Sequence, residues 1–348
     1  MESKTNHLRS LQDNLELFEL KSLKIKTLLI SSQALKKNPL RDSSKRRNPV
    51  LLPLSDPPKN GWPVVFVLSG YAGNGTKYFS DRGFDQNFVQ SLDALVHTGH
   101  APQAIYVFVD AWTSWGGSQF INSKGMGNYQ DYIIDELVPA VKSEFQVKKA
   151  PSGWCVMGGS SGGYGALHLA SLFPNIFSIA VAIAPDCFFE ASVLPEVYKA
   201  IPIIEKTGGV PAVFESLKKG TFLKGRDSFT VLNAIAMTLC YSPAINKDGL
   251  EFPIDAKTGK IKSSVWKKWQ SKDPIYFLKM REEKVKKLKA IYLDVGKRDQ
   301  FHLHYGARQI KETLKKIKIY IVSKLTKTFF SPIFAYLISK LKKKNMKI

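Results

Sequence analysis

Two adjacent serines, Ser160 and Ser161, stand inside a run of glycines in "VMGGSSGGYGAL", residues 156–167. A serine hydroxyl becomes a useful nucleophile when a sharp strand-to-helix turn thrusts it out of the backbone. That turn is so cramped that the residues two positions away must be nearly free of side chain. Gly159-Ser160-Ser161-Gly162-Gly163 fits this G-x-S-x-G spacing with Ser161 at the centre. Centring on Ser160 puts Gly158 and Gly162 in the cage instead, and shifts the elbow relative to the helix expected after it; Ser161 is therefore taken as the nucleophile. The chemistry implied is acyl transfer through a serine ester. The apolar "WCVM" before the serines reads as a strand and "GYGALHLASLF" after them as a helix, whose N-terminal N–H groups would face a developing oxyanion.

A serine needs a base, and the base an orienting acid. Asp299 follows the apolar strand "AIYLDV" and a glycine, as an acid after the nucleophile in chain order should; Asp186 in "IAPDCF" is the competing carboxylate, and Asp294 reads as packed within its strand. The six histidines are His7, His97, His100, His168, His302 and His304. Only His302 and His304 lie beyond Asp299, three and five residues on, where they are candidate bases or simply the start of an amphipathic helix. Trp112, Trp115 and Phe120 are candidates to line a substrate pocket or to pack in the core.

The elements that must position these groups alternate. "WPVVFVL", "AIYVFVDAW", "GWCVM", "IFSIAVAI" and "LKAIYLDV" are apolar runs of strand length, and "LKIKTLLIS" alternates as an edge strand does. Helical stretches such as "NYQDYIIDELVPAVKSEF" lie between them, which predicts an α/β fold: a mostly parallel, doubly wound sheet with helices on both faces. Residues of about 188–274 break the rhythm and are expected to form an inserted cap over the strand ends, where ligands bind in open α/β sheets.

Three stretches carry a family resemblance: "LSGYAGNG" (Leu68–Gly75), "GGSSGGYGAL" and "DVGKRDQF" (Asp294–Phe301). With "WGGSQFINSKGMGNYQDYI" and "VWKKWQSKDPI" they resemble the esterase D family of α/β-hydrolases, which includes S-formylglutathione hydrolases, over roughly Phe18 to Leu314. The resemblance implies an α/β-hydrolase fold and an ester or thioester as small-molecule substrate. It also implies one oxyanion donor on the residue after the nucleophile, Gly162, and a second on the backbone of Tyr71. In that family the histidine lies about thirty or more residues past the acid. Here that region reads "FFSPIFAYLIS", and no histidine follows His304. Three readings stay open: His302 or His304 serves, the protein is a catalytically impaired relative that binds acyl ligands, or the sequence after about Ile317 is out of frame.

The 348 residues are 44% hydrophobic and 23% charged, which suits one globular core with an inserted cap. The division expected is an arm over 1–17, a hydrolase domain over 18–316 and a divergent tail over 317–348. The net charge is +22, of which the tail, with eight lysines and no acid, carries +8. No nucleic-acid motif accompanies that charge. The tail's "TFFSPIFAYLIS" is too short to span a membrane but could lie on a membrane surface. Cys155, Cys187 and Cys240 follow no metal or redox spacing, and no metal or organic cofactor is implied. The polar start "MESKTNHLRSLQDN" has no apolar signal core, so the expected location is cytoplasmic.

Overall fold

A computed structural model describes residues 19–222, 226–244 and 250–326. The arm at 1–17 and the apolar run of the tail lie outside the described residues. Eight strands form the main sheet: β1 (Leu23–Ser31), β2 (Lys45–Pro53), β3 (Val64–Leu68), β4 (Ile105–Phe108), β5 (Trp154–Gly159), β6 (Ile179–Ile183), β7 (Ala290–Gly296) and β8 (Ile321–Thr326). Their spatial order is β1-β2-β4-β3-β5-β6-β7-β8. β1 and β2 run antiparallel to their neighbours, and every other pair is parallel.

The apolar runs are explained by burial on both faces. Along β3, Val64, Phe66 and Leu68 enter one core while Val65 and Val67 enter the other, because successive strand residues point to opposite faces. β1, at the edge, keeps an exposed alternate position instead. Helices α1 (Phe88–His97), α2 (Val138–Glu144), α3 (Ser161–Leu172) and, after β7, α9 (Leu303–Lys316) connect the strands. β8 pairs in parallel with β7 from Ile291↔Ile321 to Gly296↔Thr326, so the first ten residues of the segment set apart at 317–348 include a sheet strand.

Between β6 and β7 the chain inserts α4 (Leu194–Thr207), α5 (Val210–Lys218), α6 (Arg226–Tyr241), α7 (Ser263–Gln270) and α8 (Pro274–Met280). This is the segment expected as a cap. Its aromatic rings reach the loops at the strand ends: Trp115 stacks on Phe214 of α5 at 5.3 Å, and Tyr71 meets Phe229 of α6 edge-on at 5.5 Å. Asp273 ties the insertion to the end of β6. It caps α8 by accepting from the Ile275 N–H at 3.1 Å, and accepts from Phe188 and Phe189 at 3.0 and 2.6 Å. The carboxylate is buried, and burial pushes it up to about 6 despite three N–H donors.

Asp273→Ala leaves buried N–H groups of the 186–189 loop without acceptors. The expected loss is about 2–4 kcal/mol of stability, read as a lower urea midpoint at pH 7.5. An unchanged midpoint would show that the tie carries no load.

Candidate active site

The sheet register brings four loops together. Leu68 pairs with Gly158, and Gly159 pairs with Ile183, which pairs in turn with Asp294. The segments after β3, β5, β6 and β7 therefore emerge side by side, carrying Tyr71, the serine pair, Asp186 and Asp299. The chain leaves β3 toward β4 on one side and reaches β5 on the other, so this is also the point where strand order reverses.

Backbone geometry puts the elbow on Ser160. Its φ of 55° and ψ of −124° fall in a region that costs a non-glycine residue of order 1–3 kcal/mol. α3 begins at the next residue, Ser161. The cage agrees: a Cβ on Gly158 would lie 2.5 Å from the Gly162 carbonyl carbon, and one on Gly162 would lie 2.4 Å from the Leu68 carbonyl oxygen. At Gly159 the nearest atom would be an ordinary 3.7 Å away. The glycines that sterics demand are thus the pair two residues from Ser160. Ser161, the expected nucleophile, is 1% exposed and lies at the base of α3.

Ser161 is instead held from both sides. Its hydroxyl donates to Asp186 Oδ2 at 2.8 Å and accepts from Gln119 Nε2 at 3.0 Å. The Ser160 hydroxyl donates to the other carboxylate oxygen, Asp186 Oδ1, at 3.1 Å. Burial pushes Asp186 up to about 6, and the charge of Asp299 adds to that shift against hydrogen bonds from Ser161, Ser160 and Gln119.

Gly162, the expected oxyanion donor, lies two residues past Ser160; the residue directly after Ser160 is Ser161, which as the first of α3 has an N–H without an intrahelical acceptor. Tyr71 lies on the loop after β3. Its loop abuts the elbow, since a Cβ on Gly70 would be 3.6 Å from Ser160 Cβ, and its hydroxyl is anchored on the Trp115 carbonyl at 2.6 Å. Tyr71, Ser160, Ser161, Asp186, Phe229 and Phe301 are among the residues that line a cavity of about 40 Å³. Trp112, Trp115 and Phe120 do not: Trp112 is partly exposed, Trp115 stacks under the cap, and Phe120 packs against Gly165 of α3.

Asp299 is buried, with Oδ1 accepting from the N–H groups of Phe301 and Leu303 at 2.9 and 3.2 Å. It caps the turn into α9 and leaves Oδ2 buried without a partner. His304 is buried nearby, its ring tilted against that of Tyr305 with centroids 4.1 Å apart, and its Nδ1 also has no partner. Burial lowers its basicity, with Arg308 adding to that and Asp299 opposing it. His302 is exposed at the start of α9, with a left-handed φ of 61°. Neither histidine hydrogen-bonds to a serine or to Asp299. His168 is held by Gln130 at 3.0 Å, His97 by Ser22 and His100 by Thr98. Among the described residues no imidazole touches Ser160, and no cluster of His, Cys, Asp and Glu could hold a metal ion. The cysteines are unpaired and buried.

The strained serine between β5 and α3 coincides with a sequence-family match. Residues 43–322 fit the model of a family described as "Putative esterase". The chain belongs to this esterase family. Solved structures share its fold across nearly the whole esterase chain. A fluorophosphonate-binding serine hydrolase F from Staphylococcus aureus has a TM-score of 0.55 at 14% identity, covering 94% of this chain and 100% of its own. An S-formylglutathione hydrolase from Agrobacterium tumefaciens has 0.53 at 15%, covering 95% and 99%. A ferulic acid esterase from Anaeromyces mucronatus has 0.51 at 12%, covering 96% and 94%. No curated protein sequence matches. No helix among the described residues is long and apolar enough to cross a membrane.

The cage makes a discriminating prediction. Gly162→Ala drives a Cβ into backbone and should cost at least about 1–3 kcal/mol, whereas Gly159→Ala should stay near the wild-type melting temperature. The reverse order would place the elbow on Ser161.

Asp186 yields a second prediction. Its folded pKa is raised above the ordinary carboxylate value, so between about 4 and 6 the folded chain holds more protons than the unfolded one. Stability contributed by this residue is then lost as pH rises through that window. Asp186→Asn should stabilise the fold by up to ~3 kcal/mol at pH 7.5, with the gain shrinking toward pH 4. Thermal melts of both proteins across that range test the sign.

Proposed function

We propose that this esterase is a serine ester hydrolase that transfers an acyl group from a small-molecule ester or thioester to water, with Ser160 as its nucleophile. One observation carries the reading: the strained φ and ψ of Ser160 between glycines that cannot bear a side chain. Such strain persists in a fold only where the surroundings enforce it, and it aims the hydroxyl at the cavity beside Tyr71. A carbonyl there meets the N–H groups of Ser161 and Tyr71, which receive the oxyanion. Ser161 supports the elbow through Asp186 and Gln119 rather than attacking.

Asp299 is the acid the resemblance calls for, yet among the described residues no imidazole hydrogen-bonds to its free oxygen. Hydrolysis is therefore proposed to be slow beside that of a full serine–histidine–aspartate enzyme. In such enzymes loss of one member leaves roughly 10³–10⁴ over water from oxyanion stabilisation and binding. The insertion between β6 and β7 acts as the cap that shapes the acyl pocket. Buried, unpaired cysteines suit a reducing compartment such as the cytoplasm.

A fluorophosphonate probe, the kind of compound that the Staphylococcus aureus serine hydrolase F binds, tests the assignment. The full chain should form a covalent adduct on the peptide carrying Ser160. Ser160→Ala should abolish the adduct while Ser161→Ala slows it without abolishing it. An adduct on Ser161, or none, sinks the proposal.

A further inference from the structure

We infer that the Asp186 carboxylate is the general base for Ser160, taking directly the proton that an imidazole takes in a serine–histidine pair. This assignment rests on Ser160 as the nucleophile. The geometry is direct: the Ser160 hydroxyl donates to Asp186 Oδ1 at 3.1 Å, within the reach a proton-transfer partner requires. Two further contacts hold the pair in place. The second oxygen is fixed by Ser161 at 2.8 Å, and the Asp186 N–H donates to the Ser160 carbonyl at 3.4 Å. The carboxylate therefore has one oxygen committed to positioning and one facing the nucleophile. Among the described residues it forms no ion pair that would hold it permanently charged. Both Asp186 and Ser160 line the same cavity.

Its surroundings also suit a base working near neutrality. The titratable groups around it are Asp299 from the loop after β7, Cys187 beside it, Tyr241 of α6, and Tyr71 and Glu196 on the cavity wall. Glu196 is occupied by Lys199 and Thr230. With burial and the Asp299 charge acting together, Asp186 titrates at about 6, well above an ordinary aspartate and close to a working base.

In the acylation step Asp186 Oδ1 accepts the Ser160 Oγ proton as the Oγ–carbon bond forms. The carbonyl electron pair moves to the oxygen that faces the Ser161 and Tyr71 N–H groups. The oxyanion collapses, the bond to the leaving oxygen or sulfur breaks, and the Asp186 carboxyl returns its proton to that atom. In deacylation Asp186 takes a proton from water, the hydroxide adds to the acyl carbon, and Ser160 leaves and recovers the proton. Acylation closes with Asp186 ionised and Ser160 esterified, and deacylation closes with Asp186 ionised and Ser160 protonated.

The test is the pH dependence of labelling by a fluorophosphonate on the full chain, as a first-order rate. The native protein should show a rate that rises about tenfold per pH unit below pH 6 and levels off above it. Asp186→Asn, which keeps the shape but accepts no proton, should remove the inflection and lower the plateau about 10²–10⁴-fold. Asp299→Asn removes a negative charge from beside Asp186, so the midpoint should move to lower pH. Ser160→Ala reads the underlying assignment separately: an adduct that survives it overturns the nucleophile. With the nucleophile upheld, three results overturn the base: a profile unchanged in Asp186→Asn, an inflection lost in His304→Gln, or a midpoint that stays in Asp299→Asn. If Asp186→Asn fails to fold, the native profile still decides, because a rate flat between pH 5 and 7 overturns the inference.

Discussion

The clash between a side chain at Gly162 and the carbonyl of Leu68 sets the layout of this molecule's working end. β3 and β5 lie side by side, and α3 starts so soon after β5 that its first turn presses on the end of β3. The backbone makes that turn only by driving Ser160 into a conformation that L-residues avoid, at a cost of order 1–3 kcal/mol. Parallel strands buried on both faces supply the rigidity that sustains the strain. Their side chains alternate between two cores, so neither strand can shift without disturbing both. The consequence is a Ser160 hydroxyl held on Asp186 at the wall of a cavity.

That placement also explains why two carboxylates converge. Strand order makes the loops after β6 and β7 neighbours of the elbow, and each loop brings an aspartate into a dry setting. Like charges at close range in a poorly hydrated site resist simultaneous ionisation, which is why Asp299 raises the pKa of Asp186. Asp299 is stabilised by two backbone N–H groups, whereas Asp186 receives hydroxyls and an amide. The two side chains thus meet different donors, and it is Asp186 whose burial makes it protonable near neutrality. Stability and chemistry pull in opposite directions at Asp186, a common feature of sites built for function.

Much of this was legible in the sequence, and the exceptions have physical causes. Unbroken apolar runs identified the buried parallel strands, and alternation identified the edge strand, because periodicity reports how many faces are covered. Tyr71 and Asp299 follow their strands as the order of motifs implied. The elbow's register was not legible from spacing, since GGSSGG satisfies the motif around either serine. Only the distances decide, and they make Gly158 and Gly162 obligatory while leaving room at Gly159. The signal was nonetheless present, because a residue needed at the turn itself immediately precedes the helix rather than opening it. Aromatic residues misled for a simpler reason. Trp115 and Phe120 sit in the right loop but point into packing, and the cavity takes its rings from Phe229 and Phe301, far away in sequence.

Asp186 was legible only as a carboxylate at a strand end, since nothing local marks it as a partner of Ser160. Its partnership arises from parallel pairing between β5 and β6, a contact across more than twenty residues. The same topology explains the unused atoms nearby. Asp299 Oδ2 and His304 Nδ1 are both buried and both without partners, although the charge of Asp299 is felt at His304. His304 sits on the first turn of α9 with its ring tilted against that of Tyr305, and it hydrogen-bonds to neither Asp299 nor a serine. No imidazole bridges them among the described residues. Without one among the described residues, the proton on Ser160 has a single acceptor in contact, and that acceptor is a carboxylate whose burial has already made it basic.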